Sequence, residues 1–141
     1  VTDIDALVQF MREYYEFDHL LFDETSARSA LKTLLNNESY GQVWLIQDKA
    51  FPVGYVVLTY GFSLEAQGRD ALVDELYVRE NYRGQGVGKA TLDFLENVCR
   101  SLGIRAFHLE VERKNTAAHD FYRKQGFTDS DRYLLTKWLT V

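Results

Sequence analysis

Ala71-Leu72-Val73-Asp74-Glu75-Leu76-Tyr77-Val78, the turn Arg83-Gly84-Gln85-Gly86-Val87-Gly88-Lys89 and the run that follows it to Leu102 decide the fold. The first piece is β-branched and aromatic and reads as a strand, which the charged, glycine-rich stretch ends. The period then changes. Val87, Thr91, Leu92, Leu95, Val98, Cys99 and Leu102 share one face of a helix, and Gly103 supplies its stop. Arg105 to Val111 returns to strand character. A strand, a helix and a strand in that order form a βαβ unit, so the two strands are expected to lie parallel with a right-handed crossover.

Upstream, Ile4, Leu7, Val8, Met11, Tyr14 and Tyr15 recur at helical spacing behind Asp3, which predicts a helix over about residues 3 to 16. Leu31, Leu34 and Leu35 mark the buried side of a second helix that Asn36-Asn37 and Gly41 end. Val43 to Ile46 and Val53 to Leu58 flank Asp48-Lys49-Ala50-Phe51-Pro52 and read as an antiparallel hairpin. Downstream, a helix from Asn115 to Gln125 carries Ala118, Phe121 and Tyr122, ends at Gly126, and leads into strands around Phe127 and from Tyr133 to Trp138. The expected fold class is α/β or α+β, a mixed twisted sheet with helices on both faces, built by residues 1–141 as a single domain.

Composition narrows the function. The 141 residues are 46% hydrophobic and 26% charged, with one proline, as in a globular chain. A net charge of −5 argues against nucleic acid as the main partner. The single cysteine, Cys99, excludes an internal disulfide and fits a reducing compartment, and its place on the apolar helix face makes it a buried thiol. His19, His108 and His119 are scattered, so no metal is assigned. No apolar run approaches a membrane span and no leader pattern opens the sequence, which gives an expectation of a cytoplasmic protein without membrane contact. The chain begins at Val1 rather than Met, and a strand is expected to precede it.

The glycine turn bears the chemistry. Glycines at the start of a helix let the backbone curve closely round a ligand, and the unpaired N–H groups there favour phosphate or pyrophosphate. A P-loop would need glycine at Arg83 and Ser or Thr at Ala90, and a dinucleotide fingerprint would need Gly or Ala at Lys89 or Thr91. Neither fits. Arg83-Gly84-Gln85-Gly86-Val87-Gly88 resembles the acyl-CoA signature of the GNAT superfamily of N-acetyltransferases, Arg/Gln-x-x-Gly-x-Gly/Ala. The resemblance extends through Leu76-Tyr77-Val78 and Asn115 to Tyr122 to Gly126-Phe127, and covers about residues 43 to 138. It implies acetyl-CoA as acetyl donor, its pyrophosphate held by Arg83, Gly84, Gln85, Gly86, Val87, Gly88 and Lys89. It also implies that the backbone of Leu76, Tyr77 and Val78 holds the pantetheine arm beside a strand splay, with Asn115 on the pantetheine side.

Acetyl transfer to an amine requires an oxyanion donor, for which the Val78 N–H is the candidate, and a route for the amine's proton. Glu75 on the cleft strand is the first candidate base. Asp74 is its alternate, because strand neighbours point to opposite faces, and a water relay is a third route. The resemblance makes Tyr122 the acid that protonates the leaving thiolate; read without it, Tyr122 is a packed aromatic. The segment Tyr60 to Glu65 is a candidate acceptor wall, faced by Tyr133. The expected activity is acetyl transfer from acetyl-CoA to a primary amine, a small molecule of polyamine or amino acid type, by direct attack in a ternary complex. A non-catalytic acyl-CoA-binding module and a protein N-acetyltransferase are the alternatives. The family also allows a homodimer.

Overall fold

In the computed structural model, which describes residues 2–139, four strands line up in the order β1-β2-β3-β4. They are β1 (Gly41–Asp48), β2 (Phe51–Ser63), β3 (Gly68–Val78) and β4 (Ala106–Leu109). The first three are antiparallel neighbours, while β4 runs parallel to β3. Two helices precede the sheet, α1 (Thr2–Phe17) and α2 (Glu24–Leu35), and α3 (Val87–Ser101) makes the crossover from β3 to β4. The mixed sheet and the βαβ unit are as the sequence predicts. These elements belong to one compact unit that ends at Glu110, and the residues from Val111 onward form a second.

Alternation along β2 divides the core of the first unit. Tyr55 and Val57 face α1 and α2, where they meet Leu7, Val8, Phe10, Met11 and Leu31. Val56 and Leu58 face the other way and pack with Leu95 and Cys99 of α3. Leu58 and Leu95 are fully buried. Helices therefore cover both faces of the sheet, as the continuous apolar run Val53 to Leu58 requires.

The second unit contains α4 (Thr116–Lys124). Asn115 caps it, its side-chain oxygen accepting the Ala118 N–H at 3.2 Å. Asp129 folds back on the helix and accepts from Arg123 and from the His119 ring. The strands expected around Phe127 and from Tyr133 to Trp138 are not formed, and residues 127–139 carry no regular secondary structure. Strand-like composition supplies side chains suited to a pleated surface, but a strand exists only where a ladder partner pairs its backbone. Leu135 and Trp138 are each 90% exposed, so burial does not hold this segment.

Candidate active site

β3 passes its neighbours in two different phases. It pairs with β4 only from Asp70 to Val73, opposite Ala106 to Leu109. Against β2 the ladder slips at the same place, because Val57 faces Glu75 while Leu58 faces Val73. Asp74 is the extra residue of a β-bulge. Beyond it, residues 74–78 have no ladder partner on the β4 side among the described residues.

The orientation of that free edge follows from one hydrogen bond. The Arg79 N–H donates to the Val53 carbonyl at 2.9 Å, and antiparallel pairs alternate, so Tyr77 and Glu75 also turn their amides toward β2. Leu76 and Val78 turn theirs away, into the space that β4 leaves. Arg83 reaches the same edge from the turn, its Nε donating to the Val78 carbonyl at 2.7 Å. Its guanidinium lies over the Phe17 ring at 4.6 Å.

Past a short 3₁₀ turn (Glu80–Tyr82) the chain enters α3 through Gly86, whose φ of 82° is left-handed. Gly86 at the N-cap has no side chain to cap this end of α3, and the Val87, Gly88 and Lys89 N–H groups precede the first intrahelical bond, from Ala90 to Gly86 at 3.0 Å. A Cβ placed on Gly84, Gly86 or Gly88 would meet nothing within 4 Å. The turn is open to a ligand on its glycine face, and the helix dipole favours an anion there. On the acetyl-CoA expectation from the sequence, Gly86→Val is expected to weaken acetyl-CoA binding about tenfold or more and to abolish thermal stabilisation by it. Strain of about 1–2 kcal/mol from a Cβ at positive φ also lowers the melting temperature of the free protein by a few degrees. Steady-state kinetics and melting curves check both.

The bulge corrects one expectation directly. Strand neighbours ordinarily point to opposite faces, but here Val73 and Leu76 both face α3, and Asp74 and Glu75 between them line one cavity on the α1 and α2 side. Glu75 is clamped, Tyr15 donating to one oxygen at 2.6 Å and Tyr55 to the other at 2.7 Å. Burial raises the Glu75 carboxyl above the usual carboxylate range, against the lowering effect of the two phenols. Asp74 is exposed at the rim, yet enough protein surrounds its carboxyl that desolvation raises it too. Burial also raises the Tyr15 and Tyr55 phenols, with Glu75 adding to the effect, so both stay protonated donors.

Other side chains hold α1 against this end of β3. Glu13 accepts from Arg79 at 3.0 and 2.9 Å and from the Tyr77 hydroxyl at 3.1 Å. Tyr14 sits edge-on to Tyr55 with centroids 6.4 Å apart, and its phenol is pushed up to about 12 by burial. Sequence reasoning missed Tyr15 and Tyr55 as partners of Glu75. The signal available was that a buried phenol needs an acceptor.

Part of the expected acceptor wall lies elsewhere. Tyr60 faces α3, on the sheet face opposite the two carboxylates, and takes a hydrogen bond from Gln42 at 2.8 Å. Even-numbered residues from Val56 to Tyr60 share that face. Phe62 near the end of β2 and Leu64 just beyond it are exposed and do not line the cavity. Lys89 pairs with Asp93 at 2.8 Å, and the Gln85 amide donates to the Asn81 carbonyl at 3.1 Å. In the second unit, Tyr122 stands between Phe121 and Phe127, with ring centroids 5.5 and 6.1 Å away, and burial raises its phenol. Tyr133 lies under the Arg113 guanidinium at 4.7 Å.

An N-acetyltransferase of unassigned substrate from Methanocaldococcus jannaschii is 26% identical over 139 residues, 97% of this chain, and the chain spans 60% of its length. A thialysine N-epsilon-acetyltransferase from Bos taurus is 25% identical over 90% of the chain and 79% of its own length. Among solved structures, an integron cassette protein from a salt-marsh metagenome superposes with a TM-score of 0.88 at 36% identity, over 99% of this chain and 87% of that one. A Clostridium acetobutylicum protein described as a predicted acetyltransferase with acetyl-CoA has a TM-score of 0.79 at 18% identity, over 96% and 90% of the two chains, and is similar in fold. The model of the acetyltransferase (GNAT) family matches residues 4–127, and the chain belongs to that family.

Proposed function

We propose that the chain is an acetyl-CoA-dependent N-acetyltransferase that acetylates a primary amine on a small molecule, of polyamine or amino acid type, by direct attack in a ternary complex. The observation that carries this reading is the free edge of β3, which runs from the bulge at Asp74 to the open glycine turn. Acetyl-CoA fits that setting. The turn Arg83 to Lys89 offers N–H groups and glycine faces to a pyrophosphate, and on the strand from Leu76 through Tyr77 to Val78 the Leu76 and Val78 amides, turned away from β2, are offered to the amide-bearing arm. When bound, acetyl-CoA supplies an acetyl group activated as a thioester. Asn115 is assigned to the pantetheine side on the family motif.

The Val78 N–H, turned away from β2, is the donor assigned to the negative charge that builds on the carbonyl oxygen. A free alkylamine, with pKa about 10.4, is neutral in fewer than about one molecule in a thousand at pH 7. Its proton needs an acceptor. Glu75 takes that role, with Asp74 on the same wall as the alternate. Tyr122 supplies a proton to the departing thiolate, a role that rests on its place in the family motif.

The test pairs melting curves with and without acetyl-CoA and a thiol-release assay against polyamines, amino acids, aminoglycosides and lysine peptides. A raised melting temperature with thiol release from small amines is the expected result. Stabilisation without release from any amine leaves a binding module, and no stabilisation overturns the reading.

A further inference from the structure

The cavity that Glu75 and Asp74 line has a volume of about 140 Å³. Its walls are hydrocarbon, with Leu7 and Met11 from α1, Leu31 and Leu34 from α2, Val43 from β1 and Val57 from β2. The polar groups gather at one end, where Tyr15 and Tyr55 hold Glu75 and Asp74 stands at the rim. Among the described residues no lysine, arginine or histidine lines it. Ala30, an exposed residue of α2, also lines it.

We propose that this cavity holds the hydrocarbon part of the acceptor, and that the acceptor is a primary amine on a short apolar chain rather than a polycation. The inference rests on the amine-acetylating reading above and narrows it. Size is the first argument: at about 30 Å³ for a water-sized group, the space takes about five such groups, the length of a four- or five-carbon chain. Wall chemistry is the second. A second ammonium at the far end would face leucine and valine side chains, an unsolvated charge without a partner. Charge complementarity is the third. Each Glu75 oxygen accepts one phenol and keeps a second lone pair for the amine's proton, whereas no hydrogen bond to Asp74 is seen among the described residues, so Asp74 adds a carboxylate at the rim to meet the ammonium.

The experiment uses n-alkylamines of three to seven carbons and the α,ω-diamines of equal length. Thiol release gives kcat/KM for each, and melting curves with coenzyme A present read n-pentylamine binding without turnover. The expected result is a rise in kcat/KM of about fourfold for each methylene up to about five carbons, then no further gain. The five-carbon diamine is expected to fall at least about tenfold below n-pentylamine. Ala30→Trp, which adds a ring at an exposed lining position, is expected to erase the chain-length dependence and the n-pentylamine shift. It still melts higher with acetyl-CoA.

A flat chain-length series, or a diamine equal to or better than the monoamine, overturns the pocket assignment and leaves acetyl transfer standing. If no amine releases thiol but n-pentylamine raises the melting temperature of the wild type and not of Ala30→Trp, the pocket stands and the transfer reading falls. Neither release nor a shift overturns the pocket.

Discussion

Glu75→Gln is expected to lower kcat/KM for the acceptor amine by about a hundredfold to ten-thousandfold, the range of a general base, with the KM for acetyl-CoA little changed. The pH profile identifies the cause. A base works when deprotonated, and burial raises the Glu75 carboxyl, so the wild-type rate climbs with pH through a limb above the usual carboxylate range. The glutamine variant loses that limb. If the limb survives in Glu75→Gln and disappears in Asp74→Asn, the base is Asp74. Stability gives an independent reading. A carboxyl whose folded pKa is raised binds its proton more tightly in the native state than in the unfolded chain, so stability falls as pH rises from the ordinary value through the raised one. Glu75→Gln is expected to flatten that part of the curve, and the raised Asp74 carboxyl leaves the remaining slope. Melting curves from pH 4 upward measure it.

Tyr122→Phe is expected to be the second large loss, about a hundredfold or more in kcat with the acetyl-CoA-induced melting shift retained. The phenylalanine ring preserves the packing with Phe121 and Phe127 and removes only the hydroxyl. A variant with wild-type turnover refutes the acid role. A variant that melts several degrees lower and has lost acetyl-CoA binding points instead to a structural role for the hydroxyl.

The βαβ unit was legible because its signals agree: β-branched residues to Val78, glycines to Gly88, then a helical stripe through Leu95 and Cys99. The β1–β2 hairpin was legible for the same reason. Helices on both faces followed from the uninterrupted apolar run in β2. The bulge was not anticipated, although it left a trace, since Asp74 and Glu75 are consecutive acidic residues that interrupt the apolar run from Ala71 to Val78. Period-two reasoning then sent them to opposite faces. Tyr15 was read only as part of a helical repeat and Tyr55 only as part of a strand run, because such a stripe records where a ring points and not which acceptor its hydroxyl finds. Tyr60 was assigned to the acceptor wall on aromatic character alone, and strand parity places it on the other face. The C-terminal strands failed for a different reason: composition describes one strand, and pairing requires two.

The bulge has a consequence for how this cavity can change over generations. Val73 and Leu76 already face the same side, so a chain one residue shorter at position 74 would carry an unbroken ladder with Glu75 still toward the cavity and every apolar partner of β2 kept. The acidic charge lining the cavity is thus set by the length of β3 as much as by residue identity. A one-codon deletion, usually ruinous in a central strand, is here the mutational step that trims the charge of the cavity while the sheet keeps its register, and a lineage can cross it in either direction.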